Sequence, residues 1–211
     1  MPRLLRIDSS FGPASRTRAV ADAYVAAWTA RGADFTTTVR DLAADPLPHL
    51  TSAALHWPPH LRDPADVPPP EAEALQQEVL AELTAADVLL LGAPLYNYSL
   101  PSTLKAWLDL VHVPGLTAPF DAPTQPCAGV PVAVLTARGG AYDDGSPDLE
   151  KDHLLPVLRL VLADALGMEL HTIATNRTLA DAVPALDPDR AAAELQSAVA
   201  AAEEHARTVL A

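Results

Sequence analysis

The chain has 211 residues, a formal net charge of −13, 49% hydrophobic side chains and one cysteine, Cys127. That length fits a single domain, residues 1–211, with a sizeable core. The acidity excludes a broadly basic nucleic-acid surface, the lone thiol excludes an intramolecular disulfide or multi-cysteine zinc site, and no run of about 18 apolar residues is present to cross a bilayer.

The first apolar run, Leu4–Asp8, carries Arg6 and Asp8. It is too short and too charged for a signal peptide and reads as a strand of a cytoplasmic protein. Ser9-Ser10-Phe11-Gly12-Pro13-Ala14-Ser15-Arg16-Thr17 follows, and a helical pattern runs over Arg16–Arg31 to Gly32. Hydroxyls and free amides at a helix N-terminus are what a phosphate monoester needs, with Arg16 adding charge; equally, Ser15 can serve as an N-cap alone. A second strand is predicted over Phe35–Arg40. Residues 44–70 form an irregular connection, and Pro46 to Pro70 holds eight prolines. Such a segment is a lid, a subunit contact or a linker. Trp57 within it is an interface anchor or a plug over the core. His56 and His60 flank prolines that break the helix needed to bring two rings to one metal, so no metal site is expected.

A helix over Glu71–Ala86 leads to the apolar strand Val88–Ala93 and then to Pro94-Leu95-Tyr96-Asn97-Tyr98-Ser99-Leu100-Pro101. Two tyrosines around one amide at the end of a buried strand suit a flat heteroaromatic ring with polar edges; the same residues also suit an ordinary loop capping the core. A helix over Ser102–Val111 and a strand over Val132–Ala137 come next. Arg138-Gly139-Gly140 then lets backbone approach a ligand closely, or simply makes a turn. Ser146 and Pro147 read as N-cap and first turn of a helix over Pro147–Leu166, with Pro156 kinking it. A last strand, Leu170–Ala174, precedes a helix over Pro188–Leu210 capped by Asp187.

Strands apolar on both faces, alternating with helices, predict an α/β protein: a flavodoxin-like doubly wound five-stranded parallel sheet, order 2-1-3-4-5, with helices on both faces. A half-Rossmann domain is the alternative, disfavoured because no G-x-G-x-x-G follows the first strand. In the 2-1-3-4-5 order the loops after strands one, three and four converge.

The order and spacing of these pieces resemble the bacterial FMN-dependent NADH:quinone oxidoreductases and azoreductases over most of the chain. The resemblance is carried by Ser9-Ser10, by Arg40-Asp41-Leu42-Ala43-Ala44-Asp45-Pro46-Leu47-Pro48, by Ala93-Pro94-Leu95-Tyr96-Asn97-Tyr98, by Leu104-Lys105-Ala106-Trp107-Leu108-Asp109 and by Thr136-Ala137-Arg138-Gly139-Gly140. It implies FMN as cofactor, NADH or NADPH as donor, a quinone or azo acceptor in ping-pong turnover, and a homodimer whose sites are lined by both subunits. It assigns Ser10, Ser15, Arg16 and Thr17 to the phosphate. Leu95, Tyr96, Asn97 and Tyr98, with Ala137, Arg138, Gly139 and Gly140, are assigned to the ring, Asn97 and Gly140 hydrogen-bonding its edge. Phe120 falls to the acceptor side.

Departures from the family pattern touch a flavin loop and, more heavily, that acceptor side. Ala137 replaces a serine, Thr117-Ala118-Pro119-Phe120 keeps one ring, and Asp164 stands in a normally apolar region. A specialised biosynthetic flavoenzyme or a non-catalytic flavin-binding protein is therefore the alternative reading. A hydrolase is disfavoured: there is no G-x-S-x-G, and His112, His153 and His171 have no evident nucleophile partner.

Overall fold

The computed structural model describes all residues, Met1–Ala211. The strands are β1 Arg3–Asp8, β2 Thr36–Asp41, β3 Val88–Gly92, β4 Pro131–Ala137 and β5 Glu169–Thr175. All neighbours pair in parallel, in the order β2-β1-β3-β4-β5. Every residue of β3, and all but the first of β4, is buried, as two covered faces require, whereas edge strands β2 and β5 are largely exposed or half-buried. The helices are α1 Arg16–Thr29, α2 Pro70–Ala85, α3 Ser102–Val111, α4 Leu154–Leu158 and α5 Pro188–Thr208. One face of the sheet packs Leu5, Ile7, Leu89, Leu91 and Val134 against α2, α3 and α4. The other packs Leu4, Leu90 and Leu135 against α1 and α5. There α5 presents the small residues Ala198, Ala202 and Ala206, which let Tyr24 and Trp28 of α1 seat fully buried.

The fourth helix departs from expectation. The Ser146–Pro147 pair does not start it: Ser146 Oγ accepts from the Asp148 amide in a turn, and a short 3-10 turn over Leu149–Lys151 intervenes. Helix α4 begins instead at Leu154, where Asp152 Oδ1 accepts from the amides of Leu154 and Leu155 (2.9 and 3.1 Å). Pro156 therefore lies in the first turn, where its missing N–H costs nothing. The irregularity comes later, as a π-helical stretch over Arg159–Ala165 that leaves Asp164 exposed.

The proline-rich connection is tied down. Its Leu47, Ala54 and Leu55 are buried, and the buried Gln76 side chain donates to the carbonyls of Leu55 (2.7 Å) and Leu110 (3.1 Å), fixing the connection to α3. Trp57 is half-buried and packs edge-on against Phe120 at 5.0 Å.

On the α1–α5 face, the Tyr24 hydroxyl and His205 Nδ1 share a 3.0 Å hydrogen bond, and the His171 ring stacks on His205 at 4.5 Å. Burial, then the nearby His171, pulls the His205 pKa from its ordinary 6.5 down to about 4. The unfolded chain thus binds a proton in a window where the folded chain does not. This contribution to stability is present above about 6.5 and is lost as pH falls towards 4. His205→Gln is expected to flatten the fall in urea-unfolding stability between those two pH values; an unchanged slope would refute the assignment.

Candidate functional site

A cavity of about 990 Å³ opens at the carboxyl end of the sheet. It is lined by the β1–α1 loop, the β3–α3 loop, the start of the β4–α4 loop and the β5–α5 loop. That is the place where open α/β sheets bind ligands, and the size is ample for a mononucleotide.

The β1–α1 loop supplies an anion seat. Ser15 is the N-cap of α1, its Oγ accepting from the Arg18 amide (3.3 Å), so the capping role weighed from sequence is real. The Arg16 and Thr17 amides have no acceptor within the protein. Thr17 is 1% exposed and Ser10 fully buried, yet neither Thr17 Oγ1 nor Ser10 Oγ has a hydrogen-bond partner. Two orphaned hydroxyls beside a helix N-terminus are costly unless an anion takes them up. Arg16 reaches across to donate to the Ala191 carbonyl of α5 (3.2 Å) while still lining the cavity. Gly92 makes room beneath this seat: a Cβ there would stand 3.1 Å from Asp8 Oδ1 and 3.3 Å from Thr17 Cγ2.

The β3–α3 loop makes a tight hairpin. Tyr96 and Ser99 exchange both backbone hydrogen bonds (3.1 and 3.0 Å). Asn97 and Tyr98 between them have φ of 47° and 69°, a type I′ turn with a bulky residue in the left-handed region. Such strain persists where surroundings over-determine it. Here the His153 amide braces the turn by donating to the Tyr98 carbonyl (2.9 Å). The amides of Asn97 and Tyr98 remain without acceptors. Leu95, Tyr96 and Asn97 line the cavity; the Tyr98 ring is about half exposed outside the lining.

In the β4–α4 loop, Ala137 and Gly139 line the cavity, while Arg138 and Gly140 do not. The Arg138 side chain turns inward and pairs with Asp152 (2.6 Å), both carried on buried side chains. The loop carbonyls are held from the β5–α5 loop: the amides of Arg177, Thr178 and Leu179 donate to Gly140, Arg138 and Gly139 respectively. The amides of Gly139 and Gly140 take no acceptor. A Cβ at Gly139 would stand 3.1 Å from Leu179 Cδ1, so a side chain there would push the Leu179 side chain aside. Arg177 is itself fixed by Asp143 and Glu194, and its guanidinium holds the Asp143 carboxyl below the usual carboxylate range.

The fold thus brings Ser15, Arg16, Thr17, Leu95, Tyr96, Asn97, Ala137 and Gly139 around one cavity, with Ser10 buried behind it. Phe120 is not among them; it is exposed beside Trp57. Residues not anticipated also line the cavity. Phe11 stacks on Tyr96 (4.7 Å, 12°) and donates its amide to Tyr96 Oη (3.0 Å). Ser102 and Thr103 open α3, and Thr178, Leu179 and Asp181 come from the β5–α5 loop.

Comparison with known proteins places the fold and the family. A family profile described as flavodoxin-like fold matches residues 2–206. The FMN-dependent NADH:quinone oxidoreductase of Kineococcus radiotolerans is 51% identical over 212 residues, covering 99% of this chain and all of the relative. The chain belongs to the FMN-dependent NADH:quinone oxidoreductase family. The Streptomyces avermitilis member is 41% identical over 96% of this chain and 97% of its own length. Among solved structures, an azoreductase from Bacillus anthracis superposes with a TM-score of 0.82 at 19% identity, covering 98% of this chain and 99% of its own, a likeness of fold. A B. anthracis FMN-dependent NADH-azoreductase solved in complex with FMN gives 0.81 at 18%, covering 99% and 100% of the two chains.

Proposed function

We infer that this chain is an FMN-dependent oxidoreductase that passes two electrons from NADH or NADPH to a quinone or azo-type acceptor. The observation that carries the reading is the pair of orphaned hydroxyls, Ser10 Oγ and Thr17 Oγ1, beside the α1 N-terminus and the cavity formed with two amide-bearing loops. The donor set fits FMN: a dianionic phosphate end needs hydroxyls and amides, and a flat ring needs backbone donors along its edge.

FMN supplies the two-electron chemistry when bound. The Ser10 and Thr17 hydroxyls, with the free amides of Arg16 and Thr17, hold the phosphate. Leu95 and Tyr96 would give the ring one wall, and the free amides of Asn97 and Gly139, with that of Gly140 behind the lining, would serve its polar edge. Those fixed dipoles would stabilise negative charge on the bound ring. Tyr98, Ala137 and Arg138 complete the loops, Arg138 through its main chain, because its guanidinium is committed to Asp152.

Further parts of the reading concern partners. The exposed Phe120, packed on Trp57, is assigned to a contact with a second copy of the chain, where it would border the partner's acceptor pocket. No helix is long and apolar enough to cross a membrane, and an NAD(P)H-dependent enzyme of this kind belongs in the cytoplasm. Sedimentation equilibrium should return a dimer, and the double variant Trp57→Ala/Phe120→Ala should shift it towards monomer.

A visible spectrum tests the cofactor. The purified chain should carry, or take up, FMN with flavin absorption that NADH or NADPH bleaches without oxygen and menadione restores. A colourless protein that takes up no FMN overturns the reading. Bound FMN that neither nucleotide bleaches overturns the catalytic part of it.

A further inference from the structure

Arg18 follows the anion seat directly but does not line the cavity. Its guanidinium is spent inside the protein. Nε and Nη2 both donate to the Ser10 carbonyl (3.2 and 2.9 Å). Nη1 and Nη2 donate to the two oxygens of Asp41 (2.7 and 2.8 Å), and Nη1 also reaches Asp8 Oδ2 (3.3 Å). Asp41 is held in turn by the amides of Ala43 and Ala44 (3.0 and 3.1 Å). Only a rigid fork with five donors meets a carbonyl and a carboxylate in one plane; an ammonium does not.

The Ser10 carbonyl belongs to the same peptide plane as the Phe11 amide, which donates to Tyr96 Oη. One peptide is therefore gripped at both ends, by Arg18 from below and by the ring-side loop from above. On the other flank, Ser9 is pinned by its amide (3.1 Å) and Oγ (2.7 Å) to the Gly92 carbonyl. Ser10 hangs between two fixed units, its own hydroxyl left unpartnered.

We propose that Arg18, anchored by Asp41, is a positioning residue: it fixes the Ser10–Phe11 peptide so that the Ser10 hydroxyl converges with Thr17 and the α1 N-terminus on a phosphate monoester, and so sets the preference for a phosphorylated flavin over its dephosphorylated form. This rests on the FMN reading above.

The test titrates the full chain, stripped of flavin, with FMN and separately with riboflavin. Arg18→Gln is expected to raise the FMN Kd about tenfold or more and to leave the riboflavin Kd within about twofold. Asp41→Asn separates geometry from charge. Removing a negative charge near the seat strengthens phosphate binding if Arg18 acts only as a distant cation. If Arg18 acts by position, the loosened fork weakens FMN and spares riboflavin. Arg18→Lys keeps the charge and should not restore FMN affinity. Equal losses for both flavins, no loss, or tighter FMN binding by Asp41→Asn each overturn the inference. Should Arg18→Gln not fold, Asp41→Asn and Arg18→Lys decide by the same criteria. A wild-type chain that takes up neither flavin instead overturns the proposed function, and the inference with it.

Discussion

Thr17→Val should move two measurements in different directions. The hydroxyl it removes is buried and without a partner in the protein, so the flavin-free chain should keep its stability or gain up to about 1 kcal/mol in urea unfolding, as the burden of an unsatisfied polar atom disappears. The methyl that remains still packs near Gly92. FMN affinity should fall about 10- to 100-fold, the worth of one hydrogen bond to a charged group. A structural hydroxyl would give the reverse: lost stability and unchanged FMN binding. Fluorescence titration beside denaturation separates the two, and an FMN Kd within twofold of the wild type would remove Thr17 from the site.

Asp152→Ala should be the most destabilising single change near the site. The Arg138 and Asp152 side chains are only 6% and 5% exposed. Taking away the carboxylate strands a buried guanidinium whose Nε already lacks a partner, leaving it a 3.5 Å hydrogen bond to Asn176 and the Tyr142 ring at 5.7 Å. Breaking such a pair costs about 3–5 kcal/mol, and the cap on α4 goes with it. Asp152→Asn keeps an oxygen for the cap and should lose less. Equilibrium urea unfolding reads both. A loss under about 1 kcal/mol for Asp152→Ala would mean that Arg138 finds water, and that its commitment to Asp152 is not what keeps it out of the cavity.

The alternation of apolar runs with helical segments was enough to place five parallel strands in order, because buried parallel strands have a plain signature in Val88–Gly92 and Val132–Ala137. Loop residues directly after those strands were legible for the same reason: position along the sheet dictates where they emerge. What stayed hidden depends on distant partners. Arg138 reads as part of the ring-side loop until Asp152, 14 residues on, is seen to claim its side chain. Ser146–Pro147 carries a strong local cap signal that a turn absorbs, while Asp152 does the capping. Phe11 reads as a loop residue until Tyr96, 85 positions away, stacks beneath it. Thr178, Leu179 and Asp181 follow an edge strand of mixed polarity, which gave no reason to look there.

The opening turns of α5 touch both sides of the cavity without forming any of it. Arg16 of the phosphate side hangs on the Ala191 carbonyl. On the opposite side, Glu194 accepts from the Asn176 amide and pairs with Arg177, whose own amide holds the Gly140 carbonyl. The last helix is in effect a tie beam spanning the mouth. Its two points of attachment, Ala191 and Glu194, lie three residues apart on one helix. Spreading the two walls would strain the Arg16–Ala191 hydrogen bond or the Arg177–Glu194 pair, so the last helix braces the mouth from outside the cavity lining.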